Sequence, residues 1–187
     1  MQKVHRRSSP ACAFGFWFCL FASSPSMAQN FPTALVTIDP SVPASAARMV
    51  SYIISPLGQA PIGSSVEIPP LDPGAETILL ASNSNNDTIL AAMYSTGGTK
   101  KTFTSASTAV AISRLIQGPL PTGLTDAQMD SAIEATAEFP NLLSLINKDL
   151  AAGIPPQNDP GFPLSVTTVL GEALKAMAAS QRAPISK

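Results

Sequence analysis

Four carboxylates recur every fourth residue, Asp126, Asp130, Glu134 and Glu138, and form the most regular set of ionisable side chains in the chain. At 3.6 residues per helical turn this interval keeps them on one face, with a drift of about 40° per step. Three like-charge pairs at i,i+4 oppose the helix by roughly 0.2–0.5 kcal/mol each. The helix dipole offsets part of that for Asp126 and Asp130, which lie near its start. Such a stripe could face a partner or a divalent cation, or supply two acids roughly 5–9.5 Å apart for glycoside hydrolysis. Hard cations, however, are usually gripped by converging loop ligands rather than by one straight helix. Sugar-stacking aromatics are also scarce, with Tyr52, Tyr94 and a few Phe. The plainer reading is the water side of an amphipathic helix whose other side carries Met129 and Ile133. Asp126, Asp130, Glu134 and Glu138 are therefore retained as a candidate interaction stripe, and no residue is assigned as catalytic, cofactor-binding or metal-ligating.

The first 28 residues decide which other chemistry survives. Lys3, His5, Arg6 and Arg7 form a basic leader, Ala11 to Ala22 is an apolar run, and Ser26-Met27-Ala28 places small residues at −3 and −1 of a cleavage site. The apolar run is about a dozen residues, short of the roughly 20 that a membrane span requires. We expect a signal peptide over 1–28, cleavage after Ala28, no transmembrane anchor afterwards, and a secreted, periplasmic or cell-surface product. Cys12 and Cys19 lack the small-residue box of a lipoprotein, and the residues after Arg6-Arg7 lack the apolar positions of twin-arginine signals.

All the cysteines, the histidine and the tryptophan lie in that leader, so residues 29–187 contain none of the three. Disulfides, thiol or imidazole nucleophile systems and zinc sites of the usual kind are thereby excluded from the mature chain. No Ser-x-x-Lys occurs in it, and Gly97-Gly98 before Lys100-Lys101 lacks the spacing of a phosphate loop. Eight Lys and Arg against twelve Asp and Glu leave a net charge of −4, which gives no counterion-release drive toward nucleic acid. Asn86-Asp87-Thr88 is an Asn-x-Thr acceptor sequence in a polar connection.

Prolines set the boundaries of the elements. Between them the first half offers strand candidates at Ala34 to Ile38, Arg48 to Ile54 (with helix as the alternative), Ser65 to Ile68, Glu76 to Ser82, Thr88 to Ser95 and Lys101 to Ser105. The last three read as a meander, turning at "NSNND" and "TGGTK". Ile78-Leu79-Leu80 and Ile89 to Met93 are apolar on both faces, which calls for cover on both sides. Four helices are expected after them. The first is capped by Ser105 or Ser107, with an apolar face of Val110, Ile112, Leu115 and Ile116. The second starts in a Thr125/Gln128 capping box, turns Met129, Ala132, Ile133 and Ala137 inward, and runs to Phe139. The third carries Leu142, Leu143, Ile146 and Leu150 to a Gly153 stop; the fourth covers Ser165 to Ser180.

The expected fold is α+β: a small antiparallel sheet in the N-terminal half, followed by and covered by about four helices. Its parts are the leader 1–28, a Pro-rich segment 29–75 with short strands, and 76–187 as hairpin or meander plus the helical part of the same single domain. The hairpin followed by "STAVAISRLI" and "EFPNLLSLI" resembles a segment of uncharacterised exported and cell-surface bacterial proteins. That resemblance implies a non-catalytic extracytoplasmic module of unknown partner; separately, no cofactor is expected, and another envelope protein is the candidate partner. The alternative is an envelope hydrolase in which Glu67, Glu76 or Asp87 converges with a Ser or Lys.

Overall fold

The computed structural model describes residues 31–95, 97–120 and 122–182. The expected leader and cleavage site fall outside the described residues. The strands are β1 (Thr33–Ile38), β2 (Tyr52–Ser55), β3 (Gly58–Pro61), β4 (Ser65–Glu67), β5 (Glu76–Ser82), β6 (Thr88–Ser95) and β7 (Lys100–Phe103). Helices are α1 (Ala44–Met49), α2 (Ser105–Gln117), α3 (Asp126–Glu134), α4 (Phe139–Ala152) and α5 (Phe162–Arg182), with a 3₁₀ turn at Pro156–Asn158. The class is α+β, with the strands in the N-terminal half.

Two sheets form, in the orders β4-β1-β7 and β3-β2-β5-β6. β5 and β6 make the expected antiparallel hairpin, from Glu76↔Ser95 to Ser82↔Thr88 with an irregularity beside Ala81 and Ser82. Its turn is organised by Asn83, whose Oδ1 accepts the N–H groups of Asn85 and Asp87, both at 2.9 Å. Asn86 takes the left-handed conformation at φ 66° that Asn tolerates better than most residues.

The meander does not form. β7 leaves β6 and pairs parallel to β1, from Leu35↔Lys100 to Ile38↔Phe103, with the Thr37 and Thr102 hydroxyls 3.2 Å apart. The free edge of β6 is occupied by side chains instead. Ser107 Oγ donates to the Ala91 carbonyl at 2.9 Å, and Thr108 Oγ1 accepts the Ala91 N–H at 3.1 Å. At the other end of the strand, the Gln157 amide, oriented to satisfy both groups, donates to the Thr88 carbonyl at 2.6 Å and accepts its N–H at 3.0 Å. The edge of β6 is thereby held at Thr88 and at Ala91.

The segment expected as a strand from Arg48 to Ile54 is divided between two elements. "ASAARM" is helical, and Val50 at φ −71° and ψ 121° returns the chain to the extended conformation that β2 requires. Ser45 anchors α1 by donating to the Leu150 carbonyl at 2.6 Å, in the last turn of α4, where the Gly153 N–H reaches the same oxygen at 3.2 Å.

α2 also differs from its expected pattern. Its cap is Thr104, which forms a reciprocal capping box with Ser107. The buried side chains are Thr108, Ala109, Val110, Ala111, Ser113 and Arg114, whereas Leu115 is 62 % and Ile116 52 % exposed. α3 begins in the expected Thr125/Gln128 box and buries Met129 and Ile133, but it stops at Glu134, and Ala137 is exposed. Together α4 and α5 bury Leu142, Ile146, Leu150, Val166, Val169, Ala173 and Met177 in one core with the inner faces of the strands. The described residues from Phe31 onward form one compact unit.

Candidate binding surface at the junction of α2 and the sheet

Alternation along β5 and β6 sorts their side chains between two faces. Leu79, Ala81, Leu90 and Ala92 point into the main core and are fully buried. The opposite face carries Ile54, Leu80, Ile78 and Met93, aligned through the pairs Ile54↔Leu80 and Ile78↔Met93. These four are only half-buried and stand outside the main core. The cover that two-sided apolar strands call for is therefore complete on one face and partial on the other.

At one end of this half-covered face lies Arg114. α2 closes at Gly118, whose φ of 69° and N–H to the Arg114 carbonyl at 3.0 Å turn the chain back toward α3. That return brings the first turn of α3 against the guanidinium. Arg114 Nη1 donates to Asp130 Oδ1 at 2.7 Å, to the Asp126 carbonyl at 3.2 Å and to Glu76 Oε2 at 3.5 Å, while Nη2 pairs with the Asp126 carboxylate. Arg114 is 8 % exposed, so one buried cation holds three carboxylates from β5 and α3.

The four acids of the expected stripe are thus not on one helix face. Asp126 and Asp130 turn inward to Arg114, Glu134 is exposed at the end of α3, and Glu138 is the residue that opens α4. Glu138 accepts from the Asn141 amide at 2.8 Å, and its own N–H donates to Glu172 at 3.3 Å. The amphipathic reading of α3 placed all its acids toward water and missed Arg114. The available signal was that Arg114 is the only cation of its helix, four residues before a glycine stop.

A cleft of about 320 Å³ opens where α2 meets the half-covered face, lined by Glu76, Ile78, Met93, Arg114 and Leu115. Within reach of it, Ser95 Oγ donates to Glu76 Oε1 at 3.0 Å. A serine beside a carboxylate is the start of a nucleophile and base pair, but the other oxygen of Glu76 is already engaged by the Arg114 cation. The other acids weighed for hydrolysis do not converge with it. Asp87 lies in the turn at the far end of the hairpin, bonded to the Asn83 amide at 2.9 Å, and Glu67 is on β4 in the other sheet. Among the described residues, no cluster of three or more His, Cys, Asp or Glu could hold a metal ion.

A second acid pair was not legible in the sequence. Asp149, on α4, is 1 % exposed and leaves Oδ2 without a partner. Burial lifts its carboxyl above the usual carboxylate range, and the charge of Asp159 adds to the rise, with Lys148 opposing it. Asp159 meanwhile accepts the Gly161 N–H at 2.7 Å in the turn just before α5 and lies 3.7 Å from Lys148.

Comparison of the chain with protein-family models, with curated proteins and with solved structures finds no match.

Proposed function

We propose that this protein is an exported, non-catalytic interaction module of the cell envelope or extracellular space, and that it binds through the half-covered face of its four-stranded sheet. The observation that carries the reading is the position of Ile54, Ile78, Leu80 and Met93, half-buried outside the core, with the exposed Leu115 beside Ile78 and Met93. Contiguous apolar surface of this kind on a folded chain marks contact with another molecule. The leader pattern at 1–28 supports export, and the absence of Cys and His from residues 29–187 supports action without thiol, imidazole or zinc chemistry.

Export and binding are tested together in the source cell. A photo-crosslinking side chain at Leu80 is expected to join the mature chain, beginning at Gln29, to one discrete partner, whereas the same group at the exposed Thr167 is expected to give none. Equal crosslinking from both positions, or a chain retained in the cytoplasm with its leader, would sink the proposal. The hydrolase alternative rests on the Ser95–Glu76 contact. It gains ground only if the mature chain turns over a model ester, peptide or glycoside and Ser95→Ala abolishes that turnover.

A further inference from the structure

Resting on the reading of this chain as an interaction module, we propose that the half-covered sheet face receives an amphipathic basic helix of a partner protein. A large apolar side chain of that helix fills the cleft beside Leu115, and a Lys or Arg beside it meets the carboxylates around Arg114. Three features of the surface select this occupant.

The first is charge. Glu76, Asp126 and Asp130 surround a single Arg114, which leaves two negative charges in excess at the rim of an apolar face. Buried or half-buried carboxylates are stabilised by a further cation, and a rim of one sign steers and orients a partner of the other. A second copy of this chain does not supply it. Strands β2, β3, β5 and β6 contain no Lys or Arg, so two such faces packed together would bring like charge to like charge. An anionic lipid surface is disfavoured for the same reason.

The second is backbone chemistry. The face presents side chains, and the free edge of β6 is already occupied by Ser107, Thr108 and Gln157. A segment lying across this face, rather than along the open edge of β3, must satisfy its own N–H and C=O groups, which a helix does.

The third is shape. The cleft of about 320 Å³ combines apolar walls from Ile78, Met93 and Leu115 with Glu76 at its lip. That suits one anchor residue of an amphipathic helix, followed at i+3, i+4 and i+7 by others along Leu80 and Ile54.

The test uses the isotope-labelled mature chain and synthetic helical peptides of about 18 residues, with Leu on one face and Lys flanking it. Peptides with Glu or Gln in place of Lys, and one of scrambled order, serve as controls, so that the protein itself stays unaltered. The Lys peptide is expected to shift the resonances of Ile78, Leu80, Met93 and Leu115. It should bind roughly tenfold more tightly than the Gln peptide, with the difference shrinking at high salt. Leu115→Ser, which removes an exposed side chain, is expected to weaken it about tenfold while leaving the melting temperature in place. Equal binding of the Lys and Glu peptides, or shifts confined to another groove such as that between α3 and α5, would overturn the assignment of this face and leave the module reading standing. If no peptide binds and Leu80 crosslinks to nothing, both fall. Shifts at the same residues on raising the protein concentration alone, or on adding anionic vesicles, would give the face to a second copy or to a membrane and refute the basic helix.

Discussion

Arg114 on α2 and Asp130 on α3 are joined at 2.7 Å although the pattern of α3 directs its acids to water. The link matters because α2 also holds the edge of β6, so the guanidinium connects the edge of the sheet to the helices that follow it. Removing one partner of a buried ion pair leaves an uncompensated charge and costs about 3–5 kcal/mol. Arg114→Met is therefore expected to lower stability by about that amount, because three carboxylates lose their only cation. Asp130→Asn is expected to lose about 1–3 kcal/mol, since Asp126 and Glu76 remain, whereas Glu134→Gln stays within about 0.5 kcal/mol. Denaturant titration of the three variants decides it: a gain in stability for Asp130→Asn would mean that the acid faces water after all.

Ser107 and Thr108 close the edge of β6 through the two backbone groups of Ala91. Thr108→Val keeps the shape and removes the acceptor, which leaves a buried N–H unsatisfied at about 1–3 kcal/mol. Amide exchange at Ala91 is expected to accelerate well beyond that of Leu90, and an unchanged exchange rate would show that the hydroxyl is dispensable.

The two faces of β5 are expected to respond differently to substitution. Leu79→Ala empties a site in the main core and should cost about 2–5 kcal/mol. Ile78→Thr, on the half-covered face, should cost less than about 1 kcal/mol. Comparable losses at both positions in thermal unfolding would mean that the outer face is part of the folding core and not a free surface.

Asp149 gives the chain a stability that depends on pH in a particular direction. Its carboxyl is raised in the folded state, so its contribution is fully present below the unfolded-state value and is lost as pH rises through the folded-state value. Asp149→Asn, neutral at every pH, is expected to be more stable than the parent at pH 7, with the advantage disappearing as the pH falls through the carboxylate range. Melting curves taken from pH 3 to pH 8 report this directly, and a constant offset between the two proteins across that range would contradict it.

Much of the local structure was written in the sequence because it depends on near neighbours. The limits of β5 and β6, the Thr125/Gln128 box and the Gly153 stop follow from apolar runs bounded by turn residues, capping chemistry and the left-handed freedom of glycine, all satisfied within a few residues. The register of apolar residues in α4 was equally legible, because that helix has a single wide apolar stripe of Leu142, Ile146 and Leu150. What failed was each inference that needed a distant partner. β7 was read as continuing the hairpin because a neighbour in sequence is usually a neighbour in a sheet. Only β1, more than sixty residues earlier in the chain, and the hydroxyls of α2 at the edge of β6 redirected it.

The candidate site shows the same division. Composition alone determined that residues 29–187 carry no thiol and no imidazole, and that acids outnumber cations. Such properties are sums over residues and need no coordinates. Which acids meet the buried cation, and which apolar side chains of a two-sided strand stay half-exposed, was decided by the tertiary structure. A side chain on a helix or strand has a direction set by its element, but whether that direction meets solvent, core or an opposite charge depends on elements brought beside it from elsewhere in the chain.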